Sequence, residues 1–318
     1  MTGKRGIVLL NDDLNLHWIK WMKEAGLNVL ALHDLSTRDF DCIEKTIQNI
    51  QSDNGKKLIS MAIEEGIDIE YEMHALSWLL PRSEFVKHPE WFREDEHGNR
   101  VPQNNMCISN RDALDVISEN AIKLAQLLPP TTNNYYMWAD DAENASCHCE
   151  QCRKFTGSEQ NLIMMNAILK GLKKVNSNAK LPFLAYADVL EVPKRIEPEE
   201  GIFLEFAPIK RRFDKCINDI DTQENFKYKT VFEEMLSFFD PKHAHVLEYW
   251  LDASMFSNWQ KPAVKIPFYN EVFLRDVDYY SSNGIDFITS FGAFIDEEYY
   301  NAHGIPPVME YGKGLAGI

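Results

Sequence analysis

The chain has 318 residues, of which 45% are hydrophobic, 26% charged and 12% aromatic, an ordinary globular composition with enough apolar side chains for one large core. Its formal net charge of −16 argues against nucleic acid or an anionic membrane as partner, because binding phosphates needs clustered cations. A neutral or cationic substrate fits better. No apolar run approaches the roughly 18 residues of a membrane span, and the run Ile7 to Leu10 is too short for a signal-peptide core, so a cytoplasmic chain is expected.

From one end to the other, apolar β-like runs alternate with helical patterns. Ile7 to Leu10 reads as a first strand ending in Asn11-Asp12-Asp13, and Leu14 to Ala25 as a helix stopped by Gly26. Leu27 to Leu32 is a second strand ending at His33-Asp34. A helix from Gly55 to Glu65 leads to a third strand, Ile67 to Met73, ending at His74. A long insertion then runs from Ala75 to Asn110 and holds Trp78, Pro81 and Trp91; loops of this length in compact domains are usually lids or binding loops. Ser109 or Asn110 caps a helix, Arg111 to Leu128, which Pro129-Pro130 stops.

The fourth strand is the aromatic run Tyr135-Tyr136-Met137-Trp138, which breaks into the adjacent acids Asp140 and Asp141 and a cysteine-bearing loop. Glu159 to Val175 is helical. Leu181 to Ala187 and Ile202 to Phe206 make strands five and six, close enough together that the helix between them shrinks to a Pro-bearing loop. Glu224 to Phe239 is helical, His245 to Leu251 is a seventh strand, Tyr269 to Ser281 a helix, Ile285 to Phe291 an eighth strand, and Pro306 to Leu315 a last short helix.

Eight strands alternating with helices, with no internal repeat or linker, point to a single (β/α)8 TIM-barrel domain over 1–318. Active sites of that fold gather at the C-terminal ends of the strands. Here those ends carry His74, Asp140-Asp141, Tyr186 with Asp188, Glu205 with Arg211-Arg212, and Glu248-Tyr249-Trp250-Asp252. Such a ring of acids and flat rings suits carbohydrate chemistry, since glycoside cleavage commonly uses two carboxyl groups in contrasting environments. Successive strand residues point to opposite faces, so Asp140 and Asp141 can share a site only if the strand ends between them.

Glu205 and Glu248 lie inside apolar strands, where an unpaired charge is expensive. Arg211, Arg212, a ligand, or one another would compensate them, and both are candidates for a carboxylate pair with Asp141. A separation of about 5 Å would mark a covalent nucleophile and about 6.5–9.5 Å an inverting water. His74 could orient a carboxylate or bond a sugar hydroxyl. Trp78, Tyr249 and Trp250 could serve as sugar platforms, although strand aromatics are more often core, and Tyr186 and Asp252 complete the expected substrate-binding set.

Three cysteines, Cys147, Cys149 and Cys152, surround His148 at a density able to chelate a soft metal such as zinc. Cys107 or His148 could be the fourth ligand. A closed site there would be structural, pinning the loop after the aspartates, and catalysis would need no cofactor. The alternatives to a metal are a local disulfide or free thiols. No phosphate-binding Gly-rich loop, dinucleotide fingerprint or serine nucleophile elbow is present, which removes the usual supports for phosphoryl transfer, hydride transfer and serine hydrolysis.

The segment HALSWLLPRSEFVKHPEWFREDEHGNRVPQNNMCISN (74–110), the motif YYMWADD followed by CHCEQC, and GIFLEFAPIKRR (201–212) resemble the bacterial family called domain of unknown function 4838. Members resemble TIM-barrel glycoside hydrolases, and some relatives are endo-β-N-acetylglucosaminidases. The resemblance implies retaining, substrate-assisted hydrolysis of an N-acetylhexosamine-containing oligosaccharide. Asp140 would orient the substrate's 2-acetamido group as nucleophile, and Asp141 would be the general acid/base. Asp stands where several such enzymes have Glu. The rival readings are a non-catalytic carbohydrate-binding barrel and a metal-dependent lyase or isomerase, the latter requiring a metal within reach of Asp140.

Overall fold

The computed structural model of the chain describes residues 3–34 and 41–317. Its eight strands are β1 Lys4–Leu10, β2 Val29–His33, β3 Asp68–Met73, β4 Tyr136–Met137, β5 Leu181–Ala185, β6 Ile202–Phe206, β7 His245–Glu248 and β8 Phe287–Phe291, in the order β4-β3-β2-β1-β8-β7-β6-β5. The paired strands run parallel. This is the (β/α)8 fold expected from the sequence. No helix among the described residues is long and apolar enough to cross a membrane.

The chain divides into two compact units. The first comprises 1–35, 49–70 and 204–318, the second 36–48 and 71–203. In the first unit β1 lies between β2 and β8 with Ile7 opposite both Leu30 and Ser290, and β8 continues to β7 with Val246 opposite Ile288. Ile7, Val8 and Leu9, like Val29 to Leu32, are completely buried, which is why these strands read as unbroken apolar runs: a parallel strand is covered on both faces. Gly6 is required by the approach of β2, since a Cβ there would stand 2.3 Å from the Val29 carbonyl oxygen.

The helix Leu16–Ala25 is capped by Asn15, whose side chain accepts the His17 amide at 2.9 Å, and closes on Gly26 at φ 68°, a left-handed backbone that glycine adopts without strain.

The second unit takes in β3 from Tyr71 onward and β4, with Met73 opposite Met137, and two long helices, Arg111–Leu127 and Gly157–Val175. Asn110 caps the first, accepting the Ala113 amide at 3.0 Å. Thr156 and Glu159 form a reciprocal capping box on the second. The two helices pack so closely that a Cβ at Gly171 would lie 2.0 Å from the Ser118 carbonyl oxygen.

Three differences from the sequence reading bear on the site. The helix Cys42–Gln51 was not anticipated, and the 74–110 insertion carries a helical turn, Leu76–Leu79, and two 3-10 turns, Arg82–Val86 and Pro89–Trp91. The seventh strand stops at Glu248 and not at Leu251. Asp252 caps the short helix Ala253–Phe256, and the Leu251 amide turns to the Ser290 hydroxyl at 3.1 Å. The fourth strand is only two residues long, although the Trp138 amide still donates to the Met73 carbonyl at 2.9 Å.

Candidate active site

A part-open cleft in the second unit, enclosing about 640 Å³ with its mouth included, lies at the C-terminal ends of β3, β4 and β5. His74, Asn105, Trp138, Asp140, Gln160, Tyr186 and Asp188 are among its lining residues. The short β4 delivers Asp140. Beyond Trp138 the chain leaves the sheet, and the Asp140 amide donates to the Asn105 side-chain oxygen at 3.1 Å while the Asn105 amide donates back to Asp140 Oδ2 at 2.6 Å. Arg82 Nη2 donates to the same carboxylate oxygen.

Arg82 and Asp140 are nearly enclosed, their side chains 8% and 12% exposed. The Arg82 guanidinium also donates to the Asn105 carbonyl at 3.2 Å and lies over the Phe92 ring. Asn104 and Asn105 occupy left-handed backbone at φ 55° and 43°, a region asparagine tolerates better than most residues. That pair of turns aims both the amide and the side chain of Asn105 at Asp140.

His74, on leaving β3, places Nδ1 2.6 Å from the Ala139 carbonyl oxygen, which requires Nδ1 to carry the proton. Its ring meets Trp138 edge-on at 5.1 Å between centroids and Tyr186 at 6.3 Å. These three rings make one wall beside the acid. Asp188 accepts the Asn144 amide and so ties the loop after β5 to the loop after β4.

Asp141 is exposed and is not among the residues lining this cleft. The structure thus brings His74, Tyr186 and Asp140 together and sets Asp141 outside the cleft's lining. Arg82 and Asn105 were missed by sequence reasoning; the Asn-Asn dipeptide in a long insertion was the only local signal of a special turn.

Trp78, expected as a sugar platform, is half-buried and donates from Nε1 to Glu44 at 3.0 Å. The remaining expected catalytic and substrate-binding residues belong to the first unit. Arg211, expected at a sugar hydroxyl, has a fully buried side chain that binds Glu248 at 3.1 Å and Asp276 at 2.6 Å. Glu248 also accepts the Tyr280 hydroxyl at 2.5 Å, so both of its oxygens are engaged. Burial pushes Glu248 up to about 7 and raises Asp276 as well, against the pull of Arg211. Trp250 donates to Asp276 at 3.2 Å and packs on Phe273, inside the core.

Arg212 instead faces solvent and pairs with Asp214 at 2.7 Å. Asp252 serves as a helix cap; burial raises it to about 6. Tyr249 stacks on Phe291 at 5.4 Å and is 4% exposed. Glu205 is completely buried beside His245, 3.3 Å away. Burial lowers His245 to about 3, so its ring is neutral at ordinary pH.

Beside the cleft, Cys107 joins Cys147, Cys149 and Cys152 with all four sulfurs within 4.8 Å of one another, each residue buried and none in a disulfide. His148, the other expected fourth ligand, is exposed and outside this set. Asp140 does not belong to it either.

Among solved structures the chain is similar to the cellulose synthase subunit Z from Clostridioides difficile, at 11% identity and TM-score 0.52, covering 98% of this chain and 99% of that one. It is similar to the β-galactosidase from the psychrophilic Marinomonas ef1 at 11% identity and TM-score 0.58, covering 98% of this chain and 59% of that one. A Bacteroides ovatus GH5 xyloglucanase, in complex with a heptasaccharide, matches at 13% identity and TM-score 0.52, covering 98% of this chain and 75% of that one. Likeness at such identities is likeness of fold, and the fold is one that glycoside hydrolases share. No curated protein matches the chain. The profile of one family matches residues 22–304, so this chain belongs to the family described as domain of unknown function (DUF4838).

Proposed function

We propose that this protein is a glycoside hydrolase acting on an oligosaccharide that contains an N-acetylhexosamine, by retaining, substrate-assisted hydrolysis. The observation that carries the proposal is the state of Asp140. Its carboxylate is fixed through Oδ2 by Arg82 and the Asn105 amide, at a strand end of a glycosidase-like barrel and against a wall of three aromatic rings. A carboxylate held through one oxygen by an arginine and a backbone amide can offer the other to a substrate N–H, which is what orienting a 2-acetamido group demands. Asp140 is therefore the orienting residue. In this reading the acetamido oxygen attacks the anomeric carbon, the glycosidic oxygen leaves with the proton of Asp141, and water deprotonated by Asp141 then opens the cyclic intermediate. Asp141, exposed one residue on, gives up its proton in the first step and regains it from the attacking water in the second.

A panel of N-acetylglucosaminide substrates, short oligomers included, tests the reading. Turnover with retention of anomeric configuration by proton NMR is expected, with kcat falling about 10²–10⁴-fold in Asp141→Asn and Asp140→Asn. Undiminished turnover in Asp141→Asn would sink it. The second reading, a carbohydrate-binding barrel without turnover, is favoured by one observation: Asp141 is not in the cleft lining. Saturable binding of the same oligomers by wild type, with no product after prolonged incubation, would select it.

A further inference from the structure

Cys107 sits in the insertion after β3, forty residues before the Cys147-x-Cys149-x-x-Cys152 loop that follows β4, yet its sulfur lies 3.8 Å from that of Cys149 and 3.7 Å from that of Cys152. Four thiolates around one zinc at about 2.3 Å each stand at the corners of a tetrahedron whose edge is 1.63 times that length, about 3.8 Å. Four sulfurs within 4.8 Å of one another match this compact arrangement, and no oxygen or nitrogen ligand is needed to close it. We propose that Cys107, Cys147, Cys149 and Cys152 hold a single structural zinc that clamps the insertion to the loop following β4.

The surroundings are those of a thiolate site. The Glu94 amide points at the Cys147 sulfur at 3.3 Å, the Ser109 hydroxyl stands 3.2 Å from Cys107 and 3.7 Å from Cys149, and Arg100 Nη1 is 3.8 Å from Cys147. Zinc with four thiolates carries a net charge of −2. Amide and hydroxyl donors with one adjacent guanidinium are the groups that offset such a charge in a buried place.

The clamp has a defined reach. Asn105, which holds Asp140, precedes Cys107 by two residues. On the other side Gln160 accepts the Cys147 amide at 2.9 Å, donates to the Cys147 and Cys152 carbonyls at 3.1 Å each, and lines the cleft itself. The metal fixes the cysteine loop, Gln160 and Asn105 relative to one another, and it does so whether or not the cleft turns over a sugar.

The test is metal content and cobalt spectroscopy on the full chain. Protein produced with added zinc should carry about one zinc per chain. Exchange with Co²⁺ should give the near-ultraviolet sulfur-to-cobalt band and the strong visible bands of a tetrahedral tetrathiolate. In Cys107→Ser these bands should weaken toward three-sulfur coordination, and in Cys216→Ser they should not change. Removing the metal should raise hydrogen exchange at residues 105–107 and leave β1 unaffected. Should Cys107→Ser fail to fold, wild-type metal content and the cobalt spectrum decide alone. Protein that contains no zinc and takes up no cobalt, that holds iron in zinc's place, or in which these cysteines are disulfide-linked overturns the proposal.

Discussion

Replacing Arg82 by Met and Asp140 by Asn, singly and together, measures how firmly the proposed orienting carboxylate is seated. The two side chains are 8% and 12% exposed, so their pairing falls between exposed ion pairs, worth about 0.2–1 kcal/mol, and fully buried ones, where losing one partner costs about 3–5 kcal/mol. In Arg82→Met the Asn105 amide still donates to Asp140 at 2.6 Å, which retains part of the stabilisation of the charge. A loss of about 2–3 kcal/mol is therefore expected. In Asp140→Asn the guanidinium keeps the Asn105 carbonyl and the Phe92 ring, and a loss of about 2 kcal/mol is expected. The double variant should lose less than the sum of the two, by about 1–2 kcal/mol of coupling. Urea unfolding at 25 °C and constant pH, followed by tryptophan fluorescence, reads all four proteins. Single losses that add to within about 0.3 kcal/mol would refute the idea that Arg82 fixes Asp140 through their contact.

Two further outcomes concern the first unit. Arg211→Met should cost about 3–5 kcal/mol near pH 8, because Glu248 and Asp276 lose their shared cation. Burial lifts Glu248 to about 7; a carboxyl whose native pKa exceeds its unfolded value stabilises below the unfolded pKa and loses that contribution as pH rises through the native one. The deficit of Arg211→Met should thus shrink toward pH 5, and a deficit independent of pH would count against it. Asp13, 2% exposed and raised to about 7 mainly by burial while it accepts the Phe294 amide at 2.6 Å, follows the same sign. Asp13→Asn should gain on wild type between pH 4 and 8 by at most roughly 4 kcal/mol at about 1.4 kcal/mol per pKa unit, as read by thermal unfolding across that range. A constant difference would show that the carboxyl titrates alike in the folded and unfolded chain.

The barrel was legible because parallel strands are buried on both faces: Ile7 to Leu9 and Val29 to Leu32, all without exposure, announce themselves as apolar runs. Where the same signal outran the sheet, hydrogen bonds outside it decided the boundary. Tyr249, Trp250 and Leu251 extend the apolar run of β7, but the cap at Asp252 and the Ser290 hydroxyl take the backbone away after Glu248.

The helix Cys42–Gln51 escaped because its apolar spine is thin: Ile43, Ile47 and Ile50 are buried at helical spacing, with polar residues between them. In the site, Asp140 could be found from its place at the end of an aromatic strand. Its partners could not, since Arg82 and Asn105 lie 58 and 35 residues away and no local pattern encodes a contact over such a span. A comparable separation along the chain hid that Cys107, and not His148, lies with the sulfurs of the cysteine loop.

The reciprocal bonding of Asn105 and Asp140 also constrains how this scaffold can be remodelled. A shortened or borrowed insertion would change what covers the cleft and at the same stroke release the acid beneath it. Anyone grafting specificity between related barrels must transplant 74–110 and the strand end at 138–141 as one cassette, because neither half keeps its geometry in the company of a stranger.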